Sequence, residues 1–187
     1  MAPVALVRFK YGRNQKSYFH QCISGTVYKV KWREDNEIYA VKIAKEMYKG
    51  QSDRNQKLQE VRKHELLPSH SNIVRYYSSW EEGARLYQVF EFCETSLNVQ
   101  MARDGRMPED KVWAYTVDLL QAVEHLHEHN LVHMDIKPEN IFIGMDGICK
   151  LGDFGLMIDM SKGEADLAGW SHFLILKVSI TLYFSCY

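Results

Sequence analysis

The chain has 187 residues, 46% of them hydrophobic and 25% charged, with a formal net charge of −1; this is an ordinary globular composition, with room for one core or two small lobes. Its near-neutral balance argues against a general nucleic-acid binder, and no stretch reaches the length of a membrane-spanning helix. The four cysteines (Cys22, Cys93, Cys149, Cys186) form no C-x-x-C pair, and with no signal peptide they read as reduced thiols of the cytosol or nucleus.

The first 33 residues carry seven Lys or Arg and no acid. Such a composition also suits an organelle transit peptide; the preferred reading is a basic leader running into the first strands. β-formers then cluster at Thr26–Arg33 and Glu37–Ile43 on either side of Asp35-Asn36, which predicts a hairpin. A helix is expected from about Asp53 to Leu67, with Leu58, Val61 and the Leu66-Leu67 pair on one side, and Pro68 stops it. Two more strands follow at Asn72–Glu82 and Leu86–Cys93, with Gly83 and Ala84 in the turn.

Pro108 opens a long amphipathic helix, with Glu109 and Asp110 in its first turn, as the helix dipole favours. Val112, Tyr115, Leu119, Val123 and Leu126 mark its buried stripe. His125, His127 and His129 invite a metal reading, but no cysteine or acid set completes the four ligands of a zinc site, so a solvated helix end is expected. The helix leads to His133-Met134-Asp135-Ile136-Lys137-Pro138-Glu139-Asn140, and a short turn later to Asp153-Phe154-Gly155. An acid, a lysine two residues on and an amide three further is the layout of a phosphoryl-transfer loop. Asp135 can take the proton of an incoming hydroxyl, Lys137 can neutralise charge on the transferred group, and Asn140 and Asp153 are hard oxygen ligands suited to Mg²⁺.

These motifs resemble those of eukaryotic protein kinases. The resemblance implies an α+β fold with a small antiparallel-sheet lobe and a helical second lobe, here incomplete, and it implies ATP and Mg²⁺ as cofactors. Tyr39-Ala40-Val41-Lys42 matches the strand motif V-A-I-K, so Lys42 would pair with the nucleotide phosphates. Glu60, eighteen residues later, would hold the lysine's direction. Gly25, Val27 and Ala40 would line the nucleotide, Phe90 would be the gatekeeper, and Glu91 and Cys93 would offer backbone groups to the adenine edge. One feature departs from the pattern. Where G-x-G-x-x-G-x-V is expected, the chain reads His20-Gln21-Cys22-Ile23-Ser24-Gly25-Thr26-Val27, with only the third glycine present. Ser17-Tyr18-Phe19 resembles the segment that precedes the first kinase strand, so that strand and most of its loop are expected to be missing and nucleotide binding weakened.

The runs Arg75–Gly83, Leu86–Leu97, His133–Phe142 and Leu151–Leu156 resemble the Wee kinase family, most of all its membrane-associated branch. That implies inhibitory phosphorylation of a cyclin-dependent kinase, serine/threonine or dual specificity, and a role in the mitotic cell cycle. Relatives of this branch sit on endomembranes; for this chain a cytoplasmic or nuclear place is expected. Met134 replaces the arginine that receives an activation-loop phosphate in many kinases, which suggests that no such switch is needed. The competing resemblance is to kinases of translation initiation factor 2, which normally keep that arginine. The expected organisation is a leader (1–16), a kinase small lobe and hinge (17–93), the start of the larger lobe (94–167) and an unrelated apolar tail (168–187). The tail lacks an A-P-E motif, and Val178–Ser185 alternates like a strand. It reads as a splicing, read-through or gene-model product and an aggregation risk. Two rival readings follow: a non-catalytic kinase fragment that binds or competes, and a product without function.

Overall fold

The computed structural model describes residues 16–22, 25–32 and 35–162, with the backbone alone at 16–22, Glu60 and Lys162. The readings of the basic leader and of the apolar tail lie outside the described residues. The chain divides into two compact units, residues 1–57 with 76–92, and residues 58–75 with 93–187.

The first unit is a five-stranded antiparallel sheet in the order β1-β2-β3-β5-β4. Its strands are β1 (Lys16–Cys22), β2 (Gly25–Lys31), β3 (Ile38–Ala44), β4 (Tyr76–Glu82) and β5 (Arg85–Glu91). The expected loss of the first strand is therefore corrected. Lys16–Cys22 pairs along β2 from Lys16↔Val30 to Cys22↔Gly25. An unpaired β2 edge is a template for any extended neighbour, and main-chain pairing does not need the absent glycines. The β2–β3 turn is closed by Asp35, whose carboxylate accepts from the Glu37 amide (2.9 Å) and the Tyr39 hydroxyl (2.8 Å). That bond is the main reason the Tyr39 phenol is pushed up to about 12. Gly83 and Ala84, both at φ 57°, make the tight turn between β4 and β5 that a twisted hairpin prefers.

Strand pairing sorts this sheet's side chains. Partners across antiparallel strands share a face. Val41↔Val89 and Val30↔Tyr39 put the unit's small core of Val30, Val41 and Val89 on one side, with Trp80 stacked on Tyr87 at 4.9 Å. Gly25, Val27, Ala40, Lys42, Gln88 and Phe90 fall on the other side.

Helix α1 (Gln51–Leu66) gives its first residues to this unit and the rest, from Leu58, to the second. Its buried side includes Val61 and, packed partly buried against the core just past the helix end, Leu67 as expected, but not Leu66. Val61 (4% exposed) and His64 (6%) face inward while Leu66 is 80% exposed. Five residues at 100° each carry Leu66 well round from Val61, whereas His64, one turn on, stays on the same side.

The second unit adds β6 (Cys93–Ser96), α2 (Leu97–Asp104), α3 (Glu109–Glu128), β7 (Leu131–Val132), β8 (Ile141–Gly144), β9 (Cys149–Leu151) and β10 (Ile158–Asp159). The strands form a three-stranded sheet, β6-β8-β9, and a two-stranded one, β10-β7. Tyr115, Leu119, Val123 and Leu126 of α3 are buried as the periodicity requires, and Val112 packs against the same core. The unit thus covers that stripe itself; the large apolar residues α3 leaves exposed are Trp113, Val117 and Leu120, round its other side. Asn72 fastens the segment after α1 to β9: its side chain donates to the Cys149 carbonyl (3.2 Å) and its own carbonyl accepts from the Leu151 amide (2.8 Å). The Asp118 carboxylate, from α3, accepts from the Cys149 amide at 2.9 Å. β9 is therefore held from two sides just before the chain reaches Asp153.

Candidate active site

Two loops of the second unit meet at a buried histidine. His133, 1% exposed, accepts from the Asp135 amide at Nδ1 (3.2 Å) and faces the Gly152 carbonyl with Nε2 at 3.0 Å. A carbonyl only accepts, so Nε2 carries the proton and the ring is neutral. Burial holds its pKa down at about 4. One ring thus fixes the backbone of Asp135 and that of Gly152, the residue before Asp153. A second tie joins the same loops, because the Gly152 amide donates to the Asn140 carbonyl at 2.9 Å. Met134 (φ 65°) and Asp153 (φ 56°) both take the left-handed backbone region, which costs non-glycine residues energy and is held only by well-anchored surroundings. Gly152 has its own reason: a Cβ there would stand 2.8 Å from Val74 and 2.9 Å from the Phe142 ring.

Asp135, Lys137 and Asn140 form one hydrogen-bonded group. The Lys137 ammonium lies 2.7 Å from Asp135 Oδ2. The Asn140 amide nitrogen donates to the same oxygen at 2.8 Å and to the Asp135 carbonyl at 2.9 Å. The Asp135 carboxylate raises the Lys137 pKa, keeping the ammonium charged. Asn140 is 5% exposed and its nitrogen is committed to Asp135, which turns its carbonyl oxygen into the atom left for another partner. The short 3₁₀ turn Pro138–Asn140 supplies this geometry, its Asn140 amide donating to the Lys137 carbonyl at 2.9 Å.

Behind these loops three rings stack edge to face. Phe154 sits 5.0 Å from His133 and 4.9 Å from His64 of α1. The sequence reading missed His64. Its signal was weak: a polar residue one helical turn beyond Glu60 on the buried side.

In the first unit, Lys42 pairs across β3–β5 with Gln88 and across β2–β3 with Val27, and Ala40 pairs with Phe90. These residues therefore share one half-buried sheet face. Gln88 is 5% exposed and its amide nitrogen lacks a hydrogen-bond partner among the described residues. Gly25 is required by the sheet itself: a Cβ there would meet the Ile43 carbonyl oxygen at 2.3 Å. Glu91 pairs with Tyr39 and lies on the opposite face, and buried Cys93 opens β6 in the second unit. Glu60 lies in α1, and its pairing with Lys42 falls outside the described residues, as do the side chains of His20 and Cys22.

Residues 21–179 match the protein kinase domain family, a span that runs past Ala168, where the sequence reading ended the resemblance. The chain is similar to the membrane-associated tyrosine- and threonine-specific cdc2-inhibitory kinase of Drosophila melanogaster, 39% identical over 80% of this chain and 30% of that protein. The Caenorhabditis elegans kinase of the same description, wee-1.3, is 42% identical over 80% of this chain and 23% of its own length. The mitosis inhibitor protein kinase wee1 of Schizosaccharomyces pombe is 39% identical over 63% of this chain and 14% of its own. The chain spans less than a third of the length of each of these relatives.

Proposed function

The chain belongs to the protein kinase domain family, and from that premise we propose that its second unit transfers a phosphoryl group from ATP to a serine, threonine or tyrosine hydroxyl of a protein. The observation that carries the reading is the group Asp135–Lys137–Asn140, tied through His133 and Gly152 to Asp153.

The residues fit the cofactor. Asn140 offers a carbonyl oxygen, because its nitrogen is held by Asp135, and Asp153 offers a carboxylate. Both are the hard oxygen donors magnesium takes. In the first unit the sheet face with Val27, Ala40 and Phe90 supplies apolar lining. It also carries Lys42 and the orphaned Gln88 amide as donors for an anionic, polar ligand. When bound, magnesium and ATP supply the phosphoryl group and spread its charge.

Asp135 receives the proton as the substrate hydroxyl oxygen bonds to the γ-phosphorus and the bond to the β-phosphate oxygen breaks. Lys137, already beside Asp135, faces the charge that moves onto the transferred oxygens. His133 holds the two loops in register and stays neutral while doing so. Lys42 positions the phosphates, and the backbone at Glu91 and Cys93 meets the adenine edge. Gly25 acts in strand pairing. Met134 packs partly buried against the second unit's core, so it presents no cation to an activation-loop phosphate, and the enzyme needs none.

The target is a cyclin-dependent kinase, and the outcome is inhibition in the cell cycle; the reading is supported by the relatives, one named as a cdc2-inhibitory kinase and another as a mitosis inhibitor. Among the described residues no helix is long and apolar enough to cross a membrane. The test is thermal unfolding with and without Mg-ATP. The wild-type melt rises with Mg-ATP, and Asp153→Asn removes most of that rise. A melt indifferent to Mg-ATP defeats the proposal.

A further inference from the structure

The last turn of α3 brings together groups that the phosphoryl-transfer site does not use. His125, Glu128 and His129 offer donor atoms that all lie within 4.8 Å of one another. The two imidazole rings stand 4.5 Å apart. The spacing of the histidines alone lacked an acid; Glu128 supplies it from the same turn.

Each histidine has one ring nitrogen engaged by a backbone carbonyl. His125 Nε2 lies 3.0 Å from the Pro68 carbonyl and His129 Nδ1 lies 2.7 Å from the His125 carbonyl. Carbonyl oxygens only accept, so both of these nitrogens carry the proton. That leaves the lone pairs on His125 Nδ1 and His129 Nε2. A ligating histidine whose other nitrogen donates to a backbone carbonyl is the usual second layer of a metal centre, and it raises the basicity of the ligating nitrogen.

His70 closes the site from the loop after α1. Its ring stacks on His125 at 4.7 Å with 22° between planes, and its Nδ1 accepts from the Asn72 amide at 3.2 Å. His70 is therefore a cover and not a ligand in this arrangement.

We propose that His125 Nδ1, His129 Nε2 and the Glu128 carboxylate bind a borderline divalent transition-metal ion, with zinc as the cellular ion and one coordination position open to water. Two imidazoles and one carboxylate suit zinc, copper or nickel and disfavour magnesium. Zinc–ligand bonds of about 2.0–2.2 Å require the donors to draw closer together than they stand. Glu128 is exposed and able to swing in. The bound ion would clamp the end of α3, which His125 already ties to Pro68.

The test is calorimetric titration of the whole chain with zinc, carried out in an Asp153→Asn background so that the phosphoryl-transfer site does not contribute. One ion per chain is expected. Glu128→Gln and His129→Gln should each weaken binding by about tenfold or more, while Glu124→Gln changes it less than threefold. Magnesium should give no heat at this site. Cobalt in place of zinc should give visible absorption bands that His129→Gln abolishes. Glu128 is exposed, so Glu128→Gln keeps the fold and its metal-free melt should match the parent. Zinc binding unchanged in both variants overturns the proposal, as does the absence of stoichiometric binding.

Discussion

Replacing His133 with Phe should change how stability depends on pH. In the native chain the ring is buried and neutral, with its pKa lowered by burial to about 4 against an ordinary 6.5. A group whose folded value is depressed contributes stability that is complete above the unfolded value and is lost as pH falls through the folded one. The difference corresponds to about 3 kcal/mol in total, of which about 2 kcal/mol disappears between pH 7 and pH 5. His133→Phe keeps an aromatic ring beside Phe154 but removes the proton site. It also leaves the Asp135 amide and the Gly152 carbonyl without their partner, a cost of about 1–3 kcal/mol for each group that stays dry. The variant should therefore be less stable at pH 7 by about 2–6 kcal/mol, and the gap should narrow by about 2 kcal/mol at pH 5. Urea unfolding of both proteins at several pH values measures this, and taking the difference cancels the other titrating groups. A gap that stays constant from pH 7 to pH 5 would show that His133 is not a buried neutral ring bridging the two loops.

Two further outcomes are expected. Gly25→Ala should destabilise the first unit by about 1–3 kcal/mol, because its Cβ would stand 2.3 Å from the Ile43 carbonyl oxygen; a melting temperature equal to wild type would contradict the strand-pairing role. Lys137→Met should lower the rate of phosphoryl transfer by about 10²-fold or more while leaving the melt nearly unchanged, since Lys137 is 39% exposed; retention of full activity would remove it from the mechanism.

The hydrogen-bonded group proposed as catalytic was legible as a cluster because its residues are close in sequence. Asp135, Lys137 and Asn140 lie within six positions, and a short 3₁₀ turn suffices to gather them. The long helix was equally readable, its 3.6-residue period being unbroken from Val112 to Leu126. What the sequence hid depends on contacts between distant segments. His64 reaches Phe154 across 90 positions, and nothing in the local pattern of α1 announces that a histidine would take the buried side in place of Leu66. The first strand was misread for a related reason. Glycines signal the phosphate loop, but pairing on the β2 edge is made by backbone groups, which every residue from Lys16 to Cys22 possesses. Gly25 was noticed for the nucleotide it would line, whereas the atom that excludes a side chain there belongs to β3 and could not be read from the sequence. The histidines at the end of α3 were visible in the sequence, but the contacts of His125 with Pro68 and of His129 with a helix carbonyl were not.

The central claim is that Asp135 serves as the base for phosphoryl transfer. Labelled phosphate transfer from Mg-ATP to a cyclin-dependent kinase should be measured for the chain and for Asp135→Asn, with their melts compared in parallel. The account predicts measurable transfer by the wild type and a loss of about 10²–10⁴-fold in the variant, with the fold retained. Equal transfer by both, or none by a well-folded wild-type chain, would contradict it.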